Sequence, residues 1–119
     1  MKIETVIETG RRVAVLSPEE GAIDTLSSAM DLIIHVKMVA GADCVAIPKE
    51  AVDEGFFDLS SLLAGEVVRK FANYQLRCAI WGDFSGCSAD FQAFAQQQNN
   101  GWSFFFTETK EQAIARLQG

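Results

Sequence analysis

Three cysteines, two prolines, one histidine and one tyrosine are spread over 119 residues, and these scarcities exclude whole classes of function. Cys44, Cys78 and Cys87 are odd in number, lack CxxC spacing and have only His35 for company, so neither a disulfide framework nor a zinc site is expected. A lone histidine makes no catalytic triad. Ten basic residues stand against sixteen acidic ones, a net charge of -6, and the clustered Lys and Arg that phosphate backbones and anionic lipid demand are lacking. Nucleic acid and membrane are therefore not expected partners. No apolar run approaches the roughly 20 residues that a membrane span needs, and residues 1–10 carry no basic stretch followed by an apolar one, so a cytosolic setting is expected. Neither a metal-ligating cluster nor a phosphate-cradling glycine loop is found, and no metal or cofactor is expected. No linker, repeat or low-complexity tract interrupts the chain.

What is present suits an ordinary folded domain. Hydrophobic residues make up 49% and charged ones 22% of the chain, far from the disordered class, and the length fits one α/β domain spanning 1–119. Residues 2–8 alternate Ile3, Thr5 and Ile7 with Lys2, Glu4 and Glu8. A Thr9-Gly10 turn then leads to a second short β-type run over 12–16, and together these predict an N-terminal hairpin. Ser17-Pro18-Glu19-Glu20-Gly21 reads as a loop. Leu26, Ala29, Met30, Ile33, Val36 and Ala40 recur at three- and four-residue steps, predicting a helix over 25–40 stopped by Gly41. His35 falls away from that apolar stripe and is expected in solvent.

Cys44-Val45-Ala46-Ile47, closed by Pro48, has the pattern of a strand buried on both faces. A second helix is predicted over 59–74, with Leu59, Leu63, Val67, Phe71 and Tyr74 on one stripe; Gly65 inside it suggests close approach of a neighbouring element. A strand over 76–81 and a loop at Gly82-Asp83-Phe84-Ser85-Gly86 follow. Ser88 is placed to cap a third helix carrying Phe91, Phe94 and Ala95 and ending at Asn99-Asn100-Gly101. Ser103-Phe104-Phe105-Phe106 is read as a core strand in preference to a base-stacking platform. Thr109 with Gln112 has the spacing of a capping box for a last helix bearing Ala113, Ile114 and Leu117. Cys44 and Cys78 are expected as small buried hydrophobes, and Cys87, in a polar loop, as a bystander thiol or a reactive one.

The order predicts a mixed five-stranded sheet that begins as an antiparallel hairpin and continues as parallel βα units, with helices mainly on one face. The other face, thinly covered, is a candidate surface for a homodimer.

Two groups of residues carry what chemistry there is. Asp58, Ser60 and Ser61 stand at a predicted helix start, where unpaired N–H groups and the positive dipole end attract anions. Capping is one reading; a phosphorylatable serine or anion-binding turn is the other. Phe56 and Phe57 precede them, one expected to close the core and the other to remain exposed as an anchor for a partner. The second group is Glu66 on the predicted helix with Asp83 and Ser85 after the next strand, because ligands of open parallel sheets sit outside the carboxyl ends of strands. A deep pocket joining those three would favour an enzyme. A shallow surface beside a capping serine would favour binding, and a closed apolar cavity a small-ligand sensor.

Phe56-Phe57-Asp58-Leu59, Ala64-Gly65-Glu66, Lys70-Phe71, Asn73-Tyr74 and Ala79-Ile80-Trp81-Gly82-Asp83-Phe84 resemble a bacterial family known as domain of unknown function 4180. The resemblance extends to Ala29-Met30-Asp31-Leu32, Phe94, Asn99, Gly101, Phe105-Phe106 and Ala113. It departs at Leu62, where that family usually has glycine, at Arg69, where it has glutamine, and at Gln97, where it has glutamate. The family has no assigned activity, so the resemblance implies a fold without a function. A looser resemblance is to the STAS domain, named for sulfate transporters and anti-sigma factor antagonists, which carries Asp-Ser-Ser-Gly at the equivalent turn. Here Asp58 lies one residue further from Ser61, and Leu62 stands for the glycine. That resemblance implies a non-enzymatic regulatory module that binds another protein and is switched by phosphorylation near Ser61.

Overall fold

The computed structural model describes residues 3–8, 11–17 and 23–118; the expected turn at Thr9-Gly10 and most of the expected loop, Pro18-Glu19-Glu20-Gly21, lie outside them. The strands are β1 (Ile3–Glu8), β2 (Arg11–Leu16), β3 (Cys44–Pro48), β4 (Arg77–Trp81) and β5 (Phe104–Thr107), hydrogen-bonded in sequence order. Helices α1 (Leu26–Ile34), α2 (Leu63–Asn73) and α3 (Ala89–Asn99) connect β2 to β5 in turn, and α4 (Lys110–Gln118) ends the chain. Among the described residues no helix is long and apolar enough to cross a membrane.

The expectation of a sheet with one face thinly covered is corrected, and its parallel part is narrower than the five strands hydrogen-bonded side by side. The layer that the helices enclose has four strands, β2 to β5, and all are parallel. Each join within it contains a helix, and a helical crossover returns the chain in the same direction. Ile3–Glu8 adds a fifth strand at the edge of the same sheet, antiparallel along β2. Both faces of the four-stranded layer are covered. Right-handed crossovers place α1, α2 and α3 on one face, over Ala14, Leu16, Val45, Ile47, Cys78, Ile80, Phe104 and Phe106. Helix α4 joins no pair of these strands, and it folds back across Val13, Val15, Cys44, Ala46, Ala79 and Phe105 with Ala113 and Leu117. The face expected to be thinly covered is thus the second core.

Several helix ends form as the sequence dictates. Ser88 Oγ accepts from the Phe91 N–H at 3.1 Å. Gln112 Oε1 accepts from the N–H of Thr109, while Thr109 Oγ1 accepts from that of Gln112. Thr25 and Ser28 make the same reciprocal box at the start of α1. The run predicted as one helix over 25–40 is in two parts: after Ile34 the backbone widens into a π-helix, His35–Ala40, which closes with Gly41 at φ 64° and leaves His35 half-buried.

The second helix is also shorter than predicted. Leu59–Ser61 is a separate 3-10 turn, Leu62 follows in the left-handed region at φ 66°, and α2 starts at Leu63. Tyr74, expected on the buried stripe, is exposed past the helix end. Cys44 and Cys78 are fully buried, and desolvation, with Cys44 nearby, pushes the Cys78 thiol well above its ordinary value. That thiol is inert. Cys87 is half-buried against the first core.

Candidate functional site

The carboxyl ends of β3, β4 and β5 open onto one rim, and the chain leaves β3 there through three short 3-10 turns, Lys49–Ala51, Glu54–Phe57 and Leu59–Ser61. The first is tied down by Ile23, whose N–H donates to Ala51 O at 3.2 Å and whose carbonyl accepts from Asp53 N at 2.7 Å. The second delivers two aromatics with different fates. Phe56 is 0% exposed, with ring centroids 5.3 Å from Phe57 and 6.3 Å from Phe91, Phe104 and Phe106. Phe57 is half-buried, edge-on to Phe91 and 6.0 Å from Phe84.

Lys49 joins the two sides of the rim. Its ammonium donates to the Asp83 carbonyl at 2.6 Å and lies 5.5 Å from the Phe57 ring centre and 5.7 Å from that of Phe84. Two aromatic faces and a carbonyl together solvate that charge. Gly82 makes the approach possible: at φ +155°, a Cβ on it would sit 2.7 Å from Lys49 Cβ. An open groove of about 710 Å³ lies on one side, lined by Glu50, Glu54, Phe57, Asp58, Cys87 and Ser88 among others. Another of about 640 Å³ lies on the other side, with Asp83, Phe84, Ser85, Gln92, Gln96 and Thr107 in its wall.

Asp58, Ser60 and Ser61 are all exposed on the first side. The Ser60 hydroxyl, at 2.7 Å, and the Ser60 N–H, at 3.1 Å, both donate to Asp58 Oδ1, holding that carboxyl below its usual value. Ser61 Oγ lies 2.6 Å from Gly55 O and 2.8 Å from Asp58 O, and accepts from Leu63 N at 3.3 Å. Its hydroxyl is a clasp between two successive turns. Asp58 therefore caps the 3-10 turn, and the residue at the N-terminal boundary of α2 is Leu62, which offers no side-chain cap.

On the other side, the Ser85 hydroxyl and then the Ser85 N–H, 2.9 Å from Asp83 Oδ1, hold the Asp83 carboxyl low, with Lys49 adding to the effect. Asp83 and Ser85 are thus brought together by the loop after β4. Glu66 does not join them: it is exposed in the first turn of α2 and lines neither groove. Lys49 has no signature in sequence, since a lysine after a strand-ending Pro48 looks like any other surface lysine. Gly82 between a buried strand and an Asp is the signal that would have pointed to a close approach there.

A model for a domain of unknown function, DUF4180, matches residues 8–117. The chain belongs to that family. No curated protein and no solved structure matches it, so the STAS likeness gains no support. The DUF4180 motif residues fall mostly on the architecture just described: Phe56 in the core, Gly82 against Lys49, and Phe57 with Phe84 beneath its ammonium.

Leu62, a departure from the family pattern, and Gly65, which keeps to it, are each poorly suited to the backbone they occupy. Leu62 is 66% exposed and in a left-handed conformation that costs a residue with a Cβ about 1–2 kcal/mol. Gly65, expected to mark a close approach, has nothing within 4 Å of where its Cβ would be, and as the third residue of α2 it costs up to about 1 kcal/mol relative to alanine. The double substitution Leu62→Gly, Gly65→Ala is expected to stabilise the fold by about 1–2 kcal/mol after allowing for the extra freedom of glycine in the unfolded chain. Thermal unfolding reads this as a rise of roughly 5 °C; an unchanged or lower midpoint would show that the strain at Leu62 is relieved elsewhere.

Proposed function

We propose that this DUF4180 chain is a binding module that engages another protein along the rim at the carboxyl ends of its strands, through Phe57, Asp58, Ser60 and Ser61, and that it is not an enzyme. The observation that carries this reading is the Lys49 bridge. By occupying the centre of the rim and binding the Asp83 carbonyl, it divides the rim into two open grooves, a shape that suits an extended protein surface better than an enclosed substrate. Separation of Glu66 from Asp83 and Ser85 removes the third member of the acid–base set that an enzyme would use there. Switching at Ser61 fits the same reading, because a phosphate on Oγ would replace the contacts to Gly55 and Asp58 with nearly two negative charges beside the Asp58 carboxylate. The turn would open and the docking surface with it. A small ligand in the groove of about 640 Å³ is the second reading, favoured by its position beyond the ends of β4 and β5.

Photo-crosslinking in the native host tests this. A benzophenone side chain at position 60 or 85 is expected to give a discrete protein adduct, and the same group at Asp43, exposed just before β3 at the opposite, amino end of the strands, to give none. Equal labelling from all three positions, or none from 60 and 85, would overturn the protein-binding reading.

A further inference from the structure

β5 is an edge strand, and its Phe104-Phe105-Phe106 run is the kind of apolar, uncharged segment that recruits another strand when its edge is open. The ladder with β4 uses Ser103 O and Thr107 O, which accept from Cys78 N and Gly82 N. By alternation, the N–H and C=O of Phe104 and Phe106 point away from the sheet. At Phe106 both groups are taken by one side chain: the N–H donates to Asn99 Oδ1 at 2.7 Å, and the C=O accepts from Asn99 Nδ2 at 3.1 Å. The carboxamide thus presents the same acceptor and donor that a residue of a neighbouring strand would.

Its position is fixed from two sides. Asn99 is the last residue of α3, and its own carbonyl accepts from Arg116 Nη2 at 2.6 Å, a bond reaching over from α4. The Arg116 guanidinium lies 4.2 Å from the Phe105 ring centre, closing the same edge from the other face.

We propose that Asn99 is an edge guard: its carboxamide stands in for a sixth strand and so blocks a second copy of this chain from adding to β5. Only residues 104 and 106 of this short strand offer outward pairing groups, so occupying Phe106 removes half of the available register. The sequence marks Asn99 as a helix end and a point of family resemblance, with nothing to say that it faces a strand edge; Asn99 and Phe106 also stand in the wall of the groove of about 640 Å³.

Asn99→Ala tests the proposal by sedimentation and amide hydrogen exchange, with far-UV circular dichroism matching the wild type as the check that the chain is folded. At low concentration the Phe106 amide is expected to exchange at least about tenfold faster than in the wild type. As concentration rises, the average mass is expected to exceed that of the wild type at equal concentration, with protection returning at Phe106. A mass that follows the wild type throughout overturns the proposal, as does association that leaves the Phe106 amide fast. Should Asn99→Ala not fold, Asn99→Asp, which keeps the acceptor and loses the donor, is read by the same two measurements.

Discussion

Replacing Phe56 with alanine is expected to cost about 3–5 kcal/mol, the range for truncating a fully buried aromatic and a large share of the roughly 5–15 kcal/mol that holds a domain together. The site has little means of collapsing onto the space. Phe56 sits on a 3-10 turn, whose backbone is held by Phe56 N to Asp53 O and Asp58 N to Gly55 O at 3.0 and 3.3 Å, while the rings around it come from β5 and α3 as well as from Phe57. The strand and helix are fixed by their own ladders, so the cavity remains and the turn loosens over it. Phe57→Ala, starting half-buried, is expected to cost about half as much. Urea unfolding checks both: the midpoint should fall with little change in slope, and a Phe56→Ala loss no larger than that of Phe57→Ala would mean that Phe56 is not the keystone of the rim.

The parallel layer was legible because its strands are short apolar runs closed by residues that cannot continue them. Pro48 ends β3, and Gly82 follows β4. Helices α3 and α4 were legible from caps, since Ser88 and the Thr109–Gln112 pair supply acceptors at the spacing that unpaired N–H groups need. The second helix was misread for a physical reason. Leu59 and Leu63 are one helical step apart, and a 3-10 turn followed by a left-handed residue keeps both near the same face while breaking the helix between them. Periodicity counts apolar positions and does not see φ; the glycine that usually stands at position 62 in the resemblance was the better guide. Coverage of the second face was not legible at all, because Ala113, Ile114 and Leu117 show that α4 has an apolar stripe without saying which face receives it.

The candidate site divides in the same way. Asp83 and Ser85 followed from the general rule about strand ends, and the Asp58–Ser61 corner from its hydroxyls. Lys49 did not, because its role depends on the spacing of β3 and β4 and on the missing side chain of Gly82. Glu66 was grouped with Asp83 and Ser85 because ligands of open parallel sheets sit outside the strand ends, a rule that does not say which face of α2 looks that way. With the helix starting at Leu63, Glu66 belongs to its first turn, where a carboxylate favours the positive dipole end and need do nothing else.

Loss of the Arg77 guanidinium should release α4 from the sheet. Among the described residues Arg77 is the one charged side chain that is buried, at 8% exposure. Its Nε donates to Trp102 O at 2.9 Å, Nη1 to Leu117 O at 2.9 Å and Nη2 to Arg116 O at 3.3 Å, and its Cζ lies 3.8 Å from the Trp102 ring centre. One planar fork therefore satisfies two carbonyls in the last turn of α4, where the helix dipole favours a cation, and pins the strand-entry loop at Trp102. Arg77→Met keeps most of the volume and loses every donor. Three hydrogen bonds from a charged group at about 1.5–3 kcal/mol each and a stack on Trp102 of about 1 kcal/mol are offset in large part by the desolvation cost of the buried charge, several kcal/mol, that Arg77→Met removes, and a net loss of about 2–4 kcal/mol is expected. Arg77→Lys should recover little of it, because a compact ammonium cannot reach three separated carbonyls at once. Since these acceptors are neutral, added salt should not narrow the gap between variant and wild type, as it would for a surface ion pair. The sharper readout is local: amide exchange in α4 should accelerate before exchange in β3 and β4, because the helix is docked by Ala113 and Leu117 on one side and by this fork at its end. Uniform acceleration through helix and strands, or a lysine variant as stable as the wild type, would show that α4 is held by its apolar face alone.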